Sequence, residues 1–123
     1  MPSARKVLLV DDDMLICWAL ENALKKNGYE VSVSRTGGEA QKKLSENHFD
    51  MVITDLKMEG VDGLAVLEEA RKHNPPVISI LMTAFSSEST MREAFKYGAY
   101  YMVKPIQVDE FVDSVQKLFE RKV

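Results

Sequence analysis

Short apolar runs alternate with amphipathic stretches along the whole chain. Five segments have the continuous apolar or alternating character of β-strands, and they lie at 7–10, 30–34, 51–54, 77–82 and 100–103. Each is followed by a stretch in which apolar residues recur at helical spacing. The last stretch is the most regular, with apolar residues at Val108, Phe111, Val112, Val115, Leu118 and Phe119. An order of strand and helix five times over predicts an α/β fold with a parallel sheet covered on both faces.

The number of strand–helix units restricts the topology of that sheet. Five units are too few for an eight-fold barrel. Right-handed crossovers leave an open, doubly wound sheet as the simplest arrangement of five parallel strands. We therefore predict a single doubly wound (βα)5 domain over residues 1–123.

Composition and charge exclude several classes of protein. A chain of 123 residues with 46% hydrophobic residues can bury one core, and no apolar run approaches the roughly 20 residues that span a bilayer. Cys17 is the single cysteine, so no internal disulfide forms and a reducing cytoplasm is the expected location. The net charge is −3 without a basic run, which argues against nucleic-acid or membrane contact by this segment.

Several residues have a predicted structural role. Asp13 is expected to cap the first helix, Thr36 with Glu39 has the spacing of a capping box, Asp62 precedes the third helix, and Ser86 or Ser87 the fourth. Helix packing is expected of Cys17, Trp18, Met91, Ala94 and Phe95. Further methionines are expected to fill the core, namely Met14, Met51, Met58, Met82 and Met102. The two histidines, His48 and His73, are expected at the surface without a metal.

Charged and polar residues follow the predicted strands at the point where each strand ends. Asp11 and Asp12 follow the first strand, Asp55 follows the third, Thr83 ends the fourth, and Lys104 follows the fifth. The carboxyl ends of parallel strands meet at one edge of a sheet, where ligands bind. Clustered carboxylates repel one another unless a cation lies between them, and oxygen ligands suit Mg²⁺. A hydroxyl and an ammonium beside a metal-bound carboxylate would hold a phosphoryl group.

Each of these residues also has an ordinary interpretation when taken alone. Consecutive aspartates are common where a helix begins, an aspartate at a strand end is usually part of a turn, and single lysines are mostly solvated. Their coincidence at one sheet edge favours a site. Tyr101 remains open between a core residue and a moving part of the site, because Tyr97 and Tyr100 lie nearby in the sequence.

Four strings in this order carry a resemblance to a known family: VLLVDDD, ITDLKM followed by DG, ILMTA, and YMVKP. They resemble the receiver domains of bacterial two-component response regulators, and the resemblance covers essentially the whole chain. It implies a flavodoxin-like fold with strand order 2-1-3-4-5. The string LMTAF is similar to receivers of ATPase-type transcription activators.

The resemblance also implies a phosphoacceptor and a metal site. Asp55 would accept a phosphoryl group from the phosphohistidine of a sensor histidine kinase. Asp12 and Asp55 would bind Mg²⁺ directly, Asp11 would act mainly through water, and the main-chain carbonyl of Lys57 would complete the protein ligands. Lys104 would pair with a phosphoryl oxygen.

The same resemblance implies a switch. The Thr83 hydroxyl would move to bond another phosphoryl oxygen, and Tyr101 would turn inward as that hydroxyl leaves its resting place. The resemblance does not decide the roles of Lys57 and Phe85, for which two interpretations stay open. Either they flank the path of an attacking water and set the lifetime of the phosphorylated state, or Phe85 packs against the fourth helix and Lys57 points to solvent. The Lys104–Pro105 bond is expected to be cis, because the ammonium must turn back into the site directly before a proline.

We compare three functions for a site of this composition. The first is a phosphorylation-dependent switch that catalyses only its own phosphorylation and dephosphorylation. The second is a Mg²⁺-dependent phosphohydrolase working through an aspartyl-phosphate, but Lys57 stands where such enzymes carry a second acid/base aspartate. The third is a flavin carrier, whose phosphate the aspartates at 11–13 would repel.

The expected partners of the switch are a sensor histidine kinase, an output domain C-terminal to Val123 and a phosphorylation-dependent second copy of the chain. A mixed-charge set of residues is either a dimer rim or a solvated face: Arg92, Glu93, Lys96, Lys117, Glu120 and Arg121. Three positions depart from the family pattern, namely Glu59, Tyr100 and Gln107, and the last is expected to weaken a helix cap.

Overall fold

The structure, a computed structural model, describes residues 4–121. Its elements in chain order are β1 (Lys6–Val10), α1 (Met14–Lys26), β2 (Glu30–Ser34), α2 (Gly37–Glu46), β3 (Met51–Asp55), α3 (Gly63–His73), β4 (Ile78–Thr83), α4 (Glu88–Lys96), β5 (Tyr100–Val103) and α5 (Val108–Arg121). The strands form one parallel sheet in the order β2-β1-β3-β4-β5. The predicted fold class and strand order are therefore confirmed.

The sheet separates two hydrophobic cores. Successive side chains of a strand point to opposite faces, so Leu9 packs under α1 and α5 while Leu8 packs under α2 and α3. The central strands β1, β3 and β4 are buried almost throughout because helices cover both faces. This buried frame holds the carboxyl ends of the strands in fixed positions.

Polar side chains begin four helices at the predicted positions. Asp13 accepts hydrogen bonds from the backbone nitrogens of residues 15 and 16 at 2.9 and 3.2 Å. Thr36, Asp62 and Ser87 each accept one bond at 3.0–3.1 Å from the nitrogen three residues later. The Gln107 side chain also accepts from the third following nitrogen, at 2.9 Å, so the departure from aspartate keeps a capping bond at α5.

Four residues predicted to pack inward are exposed instead. Met14, Trp18, Met91 and Phe95 have exposed fractions of 65%, 66%, 38% and 70%. Trp18 lies about 100° around the helix from buried Cys17, so it falls outside the stripe that faces the sheet. Within the described residues of α4, only Ala94 is buried, because that helix lies over the short edge strand β5. The prediction of core packing was wrong for these four residues.

No helix within residues 4–121 is both long enough and apolar enough to cross a membrane. Both histidines lie at the surface, as predicted, where His48 contacts Asp50 at 3.1 Å and His73 contacts Glu69 at 2.9 Å. Four residues of the predicted mixed-charge set take part in three local ion pairs on their own helices, namely Arg92 with Glu88, Lys96 with Glu93 and Lys117 with Asp113.

Candidate functional site

One edge of the sheet brings together the ends of four neighbouring strands, β1, β3, β4 and β5, near a single ammonium group. Lys104, directly after β5, places its Nζ 2.8 Å from Asp11 Oδ2 and 3.2 Å from Asp55 Oδ1. Its backbone nitrogen donates to the Thr83 carbonyl at 2.8 Å, which joins the end of β5 to the end of β4. The Lys104–Pro105 peptide bond is cis, as predicted.

Three carboxylates converge at this edge. Asp11, Asp12 and Asp55 each offer one oxygen, and these oxygens all lie within 4.8 Å of one another. Asp11 and Asp55 are buried, whereas Asp12 is exposed and faces water. Hard divalent cations take oxygen ligands and keep several waters, and Mg²⁺ in particular gives up its waters reluctantly. An all-oxygen cluster with one side open to solvent therefore fits Mg²⁺.

The electrostatics of the cluster are unbalanced in favour of negative charge. Burial raises the pKa of Asp55 above its ordinary 3.8, the Asp11 charge raises it further, and Lys104 opposes both effects. Burial alone would lower the pKa of Lys104, but the hydrogen bond and charge of Asp11, together with Asp55, raise it above 10.5. With three ionised carboxylates and one ammonium, the site has a formal charge of −2. A divalent cation would neutralise that charge.

Two hydrogen bonds from residues nearby in the sequence position Asp11. Its Oδ1 accepts a hydrogen bond from the Asp13 nitrogen at 3.0 Å, and its carbonyl accepts one from the Cys17 thiol at 3.2 Å. Burial, followed by the Asp11 charge, raises the pKa of Cys17 to about 11, so the thiol keeps its proton for this contact. This positioning role of Cys17 was missed, since the sequence showed only an apolar place on a helix.

A close backbone approach fixes the position of Asp55. The Gly63 nitrogen donates to the Leu56 carbonyl at 2.8 Å, and a Cβ added to Gly63 would lie 2.2 Å from the Asp55 carbonyl oxygen. Only glycine fits there, because real Cβ atoms do not approach an oxygen so closely. In the sequence, Asp62 and Gly63 predict only the start of a helix. The contact between Gly63 and the Asp55 carbonyl was missed, and the spacing between the strand and the DG pair was its one available signal.

The loop between β4 and α4 contacts two residues with a predicted role in the switch, Thr83 and Tyr101. The Thr83 hydroxyl accepts from the Phe85 nitrogen at 3.0 Å and donates to the Phe85 carbonyl at 3.3 Å. The Tyr101 hydroxyl donates to Ser86 Oγ at 3.2 Å, while the Tyr101 ring is half-buried against the core. The tyrosine therefore contacts both the core and this loop.

Lys57 and Phe85 meet above the sheet edge. The Lys57 Nζ lies 5.2 Å from the centre of the Phe85 ring, within the range of a cation–π interaction. Both side chains are exposed to solvent on the outer side. The sequence presented them as separate neighbours of Asp55 and Thr83, and the contact between them was not anticipated.

Comparison with known proteins shows the family. The sequence-family model of the response regulator receiver domain matches residues 7–116 of this chain. The chain belongs to this family. The receiver domain is 38% identical over 112 residues to the transcriptional regulatory protein ZraR of Salmonella typhimurium, an alignment that covers 90% of this chain and 25% of ZraR. The chain thus spans about a quarter of the length of the curated relatives it matches.

Solved structures show the same architecture as this receiver domain. A CheY-like receiver domain protein of Methanospirillum hungatei superposes with a TM-score of 0.93 at 27% identity, covering 98% of this chain and 97% of that one. A response regulator of Burkholderia pseudomallei with a phosphorylated aspartic acid, a calcium ion and citrate superposes with a TM-score of 0.81 at 25% identity, covering 92% and 71%. The predicted family and fold are confirmed.

Proposed function

We propose that this receiver domain, comprising residues 1–123, is a phosphorylation-dependent switch whose phosphoacceptor is Asp55. The position of Lys104 carries the proposal, because its ammonium lies 3.2 Å from Asp55 Oδ1, where it can also meet an incoming phosphoryl oxygen. The convergence of three carboxylates within 4.8 Å supports a bound divalent cation beside the acceptor. The phosphorylated aspartic acid in the Burkholderia pseudomallei relative supports the same chemistry.

The proposed metal ligands are Asp12, Asp55 and the main-chain carbonyl of Lys57, with Asp11 acting through water. The contacts of Asp11 support its indirect role, because one of its oxygens already accepts from the Asp13 nitrogen and the other from Lys104. When bound, Mg²⁺ would neutralise the carboxylates and allow an anionic phosphoryl group to approach.

The proposed reaction transfers a phosphoryl group from a phosphohistidine to Asp55. An Asp55 carboxylate oxygen forms a bond to phosphorus while the bond between phosphorus and the imidazole nitrogen breaks, and the histidine leaves on the kinase. Lys104 pairs with one phosphoryl oxygen and the Thr83 hydroxyl with another. The new group adds about −1.5 to −2 of charge, and the rearrangement of these donors drives the switch.

An exposed apolar set on α1 supports docking of a sensor histidine kinase beside the acceptor. Met14, Leu15 and Trp18 are all largely exposed, and the helix that carries them begins two residues after Asp12. Exposed apolar clusters at the rim of a site are typical of protein–protein contacts. The phosphohistidine of a partner seated there would lie close to Asp55.

A second exposed face, formed by α4 and the edge strand β5, supports a surface for contact with an output domain. Phe95 on α4 and the edge-strand residues Tyr100 and Val103 are exposed, and the loop before α4 contains Ser86, the partner of Tyr101. We propose that this face contacts an output domain beyond Val123, or a second phosphorylated copy, in the cytoplasm. The matched relatives are named as transcriptional regulators, and this chain spans about a quarter of their length. Both facts support an output domain of the kind found in ATPase-type transcription activators.

Incubation with acetyl phosphate and Mg²⁺, followed by intact-mass measurement, tests the function. The proposal predicts a gain of one phosphoryl group that requires Mg²⁺ and is absent in Asp55→Asn. A phosphohydrolase would instead release phosphate from p-nitrophenyl phosphate over many turnovers, and this outcome would contradict the switch. Absence of phosphoryl uptake by the unsubstituted protein would contradict both functions.

A further inference from the structure

Three residues, Thr83, Lys57 and Tyr101, contact the loop at 84–87, which joins β4 to α4. The Thr83 hydroxyl bonds both the nitrogen and the carbonyl of Phe85, at 3.0 and 3.3 Å. The Lys57 ammonium lies 5.2 Å from the centre of the Phe85 ring. The Tyr101 hydroxyl donates to the Ser86 hydroxyl at 3.2 Å. These contacts at Phe85 and Ser86 come from a residue of the site or its immediate surroundings, whereas Ser87 at the end of the loop caps α4 through the Thr90 nitrogen at 3.1 Å.

The hydrogen bonds of Thr83 restrict what its hydroxyl can do. A hydroxyl has a single proton, and this one is directed at the Phe85 carbonyl. The hydroxyl must therefore release Phe85 before it can donate to a phosphoryl oxygen. Any interaction that keeps the Phe85 residue in place also keeps the Thr83 hydroxyl in its resting position.

We propose that Lys57 and Phe85 form a latch that opposes the switched conformation of the receiver domain. The cation over the ring fixes Phe85 from outside, while Thr83 fixes its backbone from below. This inference rests on the proposed function, in which Thr83 moves toward the phosphoryl group. It adds that the resting state is stabilised by a contact between two loops, in addition to the packing of the core.

The phosphoryl group itself would open the latch. Lys57 lies two residues after Asp55. A new charge of about −1.5 to −2 on phosphorylated Asp55 would therefore attract the Lys57 ammonium. The ammonium then leaves the ring, Phe85 is held less firmly, and the Thr83 hydroxyl becomes free to turn. Phosphorylation would thus move the Lys57 ammonium away from the Phe85 ring, which it restrains in the resting state. The same ammonium would then contact the phosphoryl group.

Amide signals in ¹H–¹⁵N NMR spectra of the full chain test the latch. Tyr101, Met102 and Ala94 serve as probes because none is adjacent to a substituted residue, and the unphosphorylated and acetyl-phosphate-treated proteins define the two end states. Lys57→Met and Phe85→Leu should each move the unphosphorylated signals toward the phosphorylated positions. Loss of an exposed cation–π contact raises the switched fraction by roughly two- to fivefold. The double variant should move them no further than either single variant.

Two further variants complete the design. Lys57→Arg keeps a cation over the ring and should leave the signals where they are in the unsubstituted protein. Lys117→Met serves as the control. It removes an exposed lysine whose Nζ lies 3.0 Å from Asp113 Oδ2 one turn earlier on α5. Shifts in Lys57→Met or Phe85→Leu no larger than in Lys117→Met, or strictly additive shifts in the double variant, would overturn the latch. If either of these results occurs while phosphoryl uptake is normal, the latch is wrong and the proposed function stands. If phosphoryl uptake is absent, both the latch and the proposed function are wrong.

Discussion

The Lys104 ammonium lies 2.8 Å from the carboxylate of Asp11, which has no exposed surface. This pair places a positive charge between two strand ends before any phosphoryl group arrives. Lys104 also reaches Asp55 at 3.2 Å, so a short movement exchanges one anionic partner for another. The resting structure thus holds the cation that the phosphorylated state would use.

Removal of Lys104 tests how much this pair stabilises the fold. In Lys104→Met the buried Asp11 carboxylate loses its cation, and we expect the free energy of unfolding at pH 7 to fall by about 2–4 kcal/mol. Urea unfolding in EDTA measures this loss. Lys117→Met, which removes an exposed lysine, should cost less than about 1 kcal/mol. Equal losses in the two variants would contradict a stabilising role for the pair.

The same pair predicts a pH dependence. The pKa of Lys104 is raised in the folded protein, so its stabilising effect is complete below the unfolded value of 10.5 and is lost as the pH rises through the folded pKa. The difference in unfolding free energy between the unsubstituted protein and Lys104→Met should therefore be constant from pH 7 to about pH 10 and shrink above it. A difference that grows above pH 10.5 would show that the sign is wrong.

Glycine substitutions test the backbone approach behind Asp55. Gly63→Ala places a methyl group against the Asp55 carbonyl, so strand β3 or helix α3 must shift. We expect slower phosphorylation by acetyl phosphate and a loss of about 1–3 kcal/mol in unfolding free energy. Gly38→Ala is the matched control, because a Cβ there meets nothing within 4 Å, and it should stabilise α2 by about 0.5–1 kcal/mol. Unimpaired phosphorylation in Gly63→Ala would argue against a positioning role.

Thr83→Ala separates acceptance of the phosphoryl group from its transmission. The variant keeps Asp55 and Lys104, so intact-mass measurement should still find one phosphoryl group. The conformational change should be much smaller, because no hydroxyl remains to bond the phosphoryl oxygen. Amide signals of α4 and Tyr101 before and after phosphorylation measure it. A full response in the variant would remove Thr83 from the switch.

The lifetime of the phosphorylated state depends on access of water to the phosphorus atom. We propose that the apolar Phe85 ring shields that path without orienting a water, and an ammonium at Lys57 has no lone pair to act as a base. We expect a long-lived phosphorylated state that Phe85→Ala shortens several-fold. Lys57→Glu and Lys57→Asn should shorten it as well, because each offers a group that holds a water in line.

The assay for this lifetime is phosphate release from purified phosphorylated protein in excess Mg²⁺ without kinase. Unchanged or slower release in the Phe85 and Lys57 variants would assign both residues to packing and surface. The 5.2 Å contact between the Lys57 ammonium and the Phe85 ring belongs to the unphosphorylated state, so it does not by itself couple the effects of the two substitutions on this lifetime.

Local patterns were sufficient to predict the elements and the caps. The alternation around Val31 and Val33 predicted β2 with the bounds it has, and Asp13, Thr36 and Asp62 begin helices as expected. These features depend on neighbours in the sequence, where periodicity and capping chemistry are direct signals. The meeting of Asp11, Asp55 and Lys104 followed from the parallel sheet alone.

Features that depend on distances between elements could not be predicted. Phe95 has the apolar character of a core residue, and only the position of α4 over the short edge strand β5 leaves it exposed. The contact of Lys57 with Phe85 joins two loops whose conformations no periodicity describes. The approach of Gly63 to Asp55 likewise arises from how α3 begins against β3.

The most direct test of the central claim identifies the residue that accepts the phosphoryl group. Borohydride reduces an acyl phosphate to an alcohol, so treatment of the phosphorylated protein followed by peptide mass analysis marks the acceptor. We predict reduction at Asp55 only, dependent on Mg²⁺ during phosphorylation and greatly diminished in Asp12→Ala. Reduction at Asp11 or Asp12 in the unsubstituted protein, or Mg²⁺-dependent phosphoryl uptake that persists in Asp55→Asn, would contradict it.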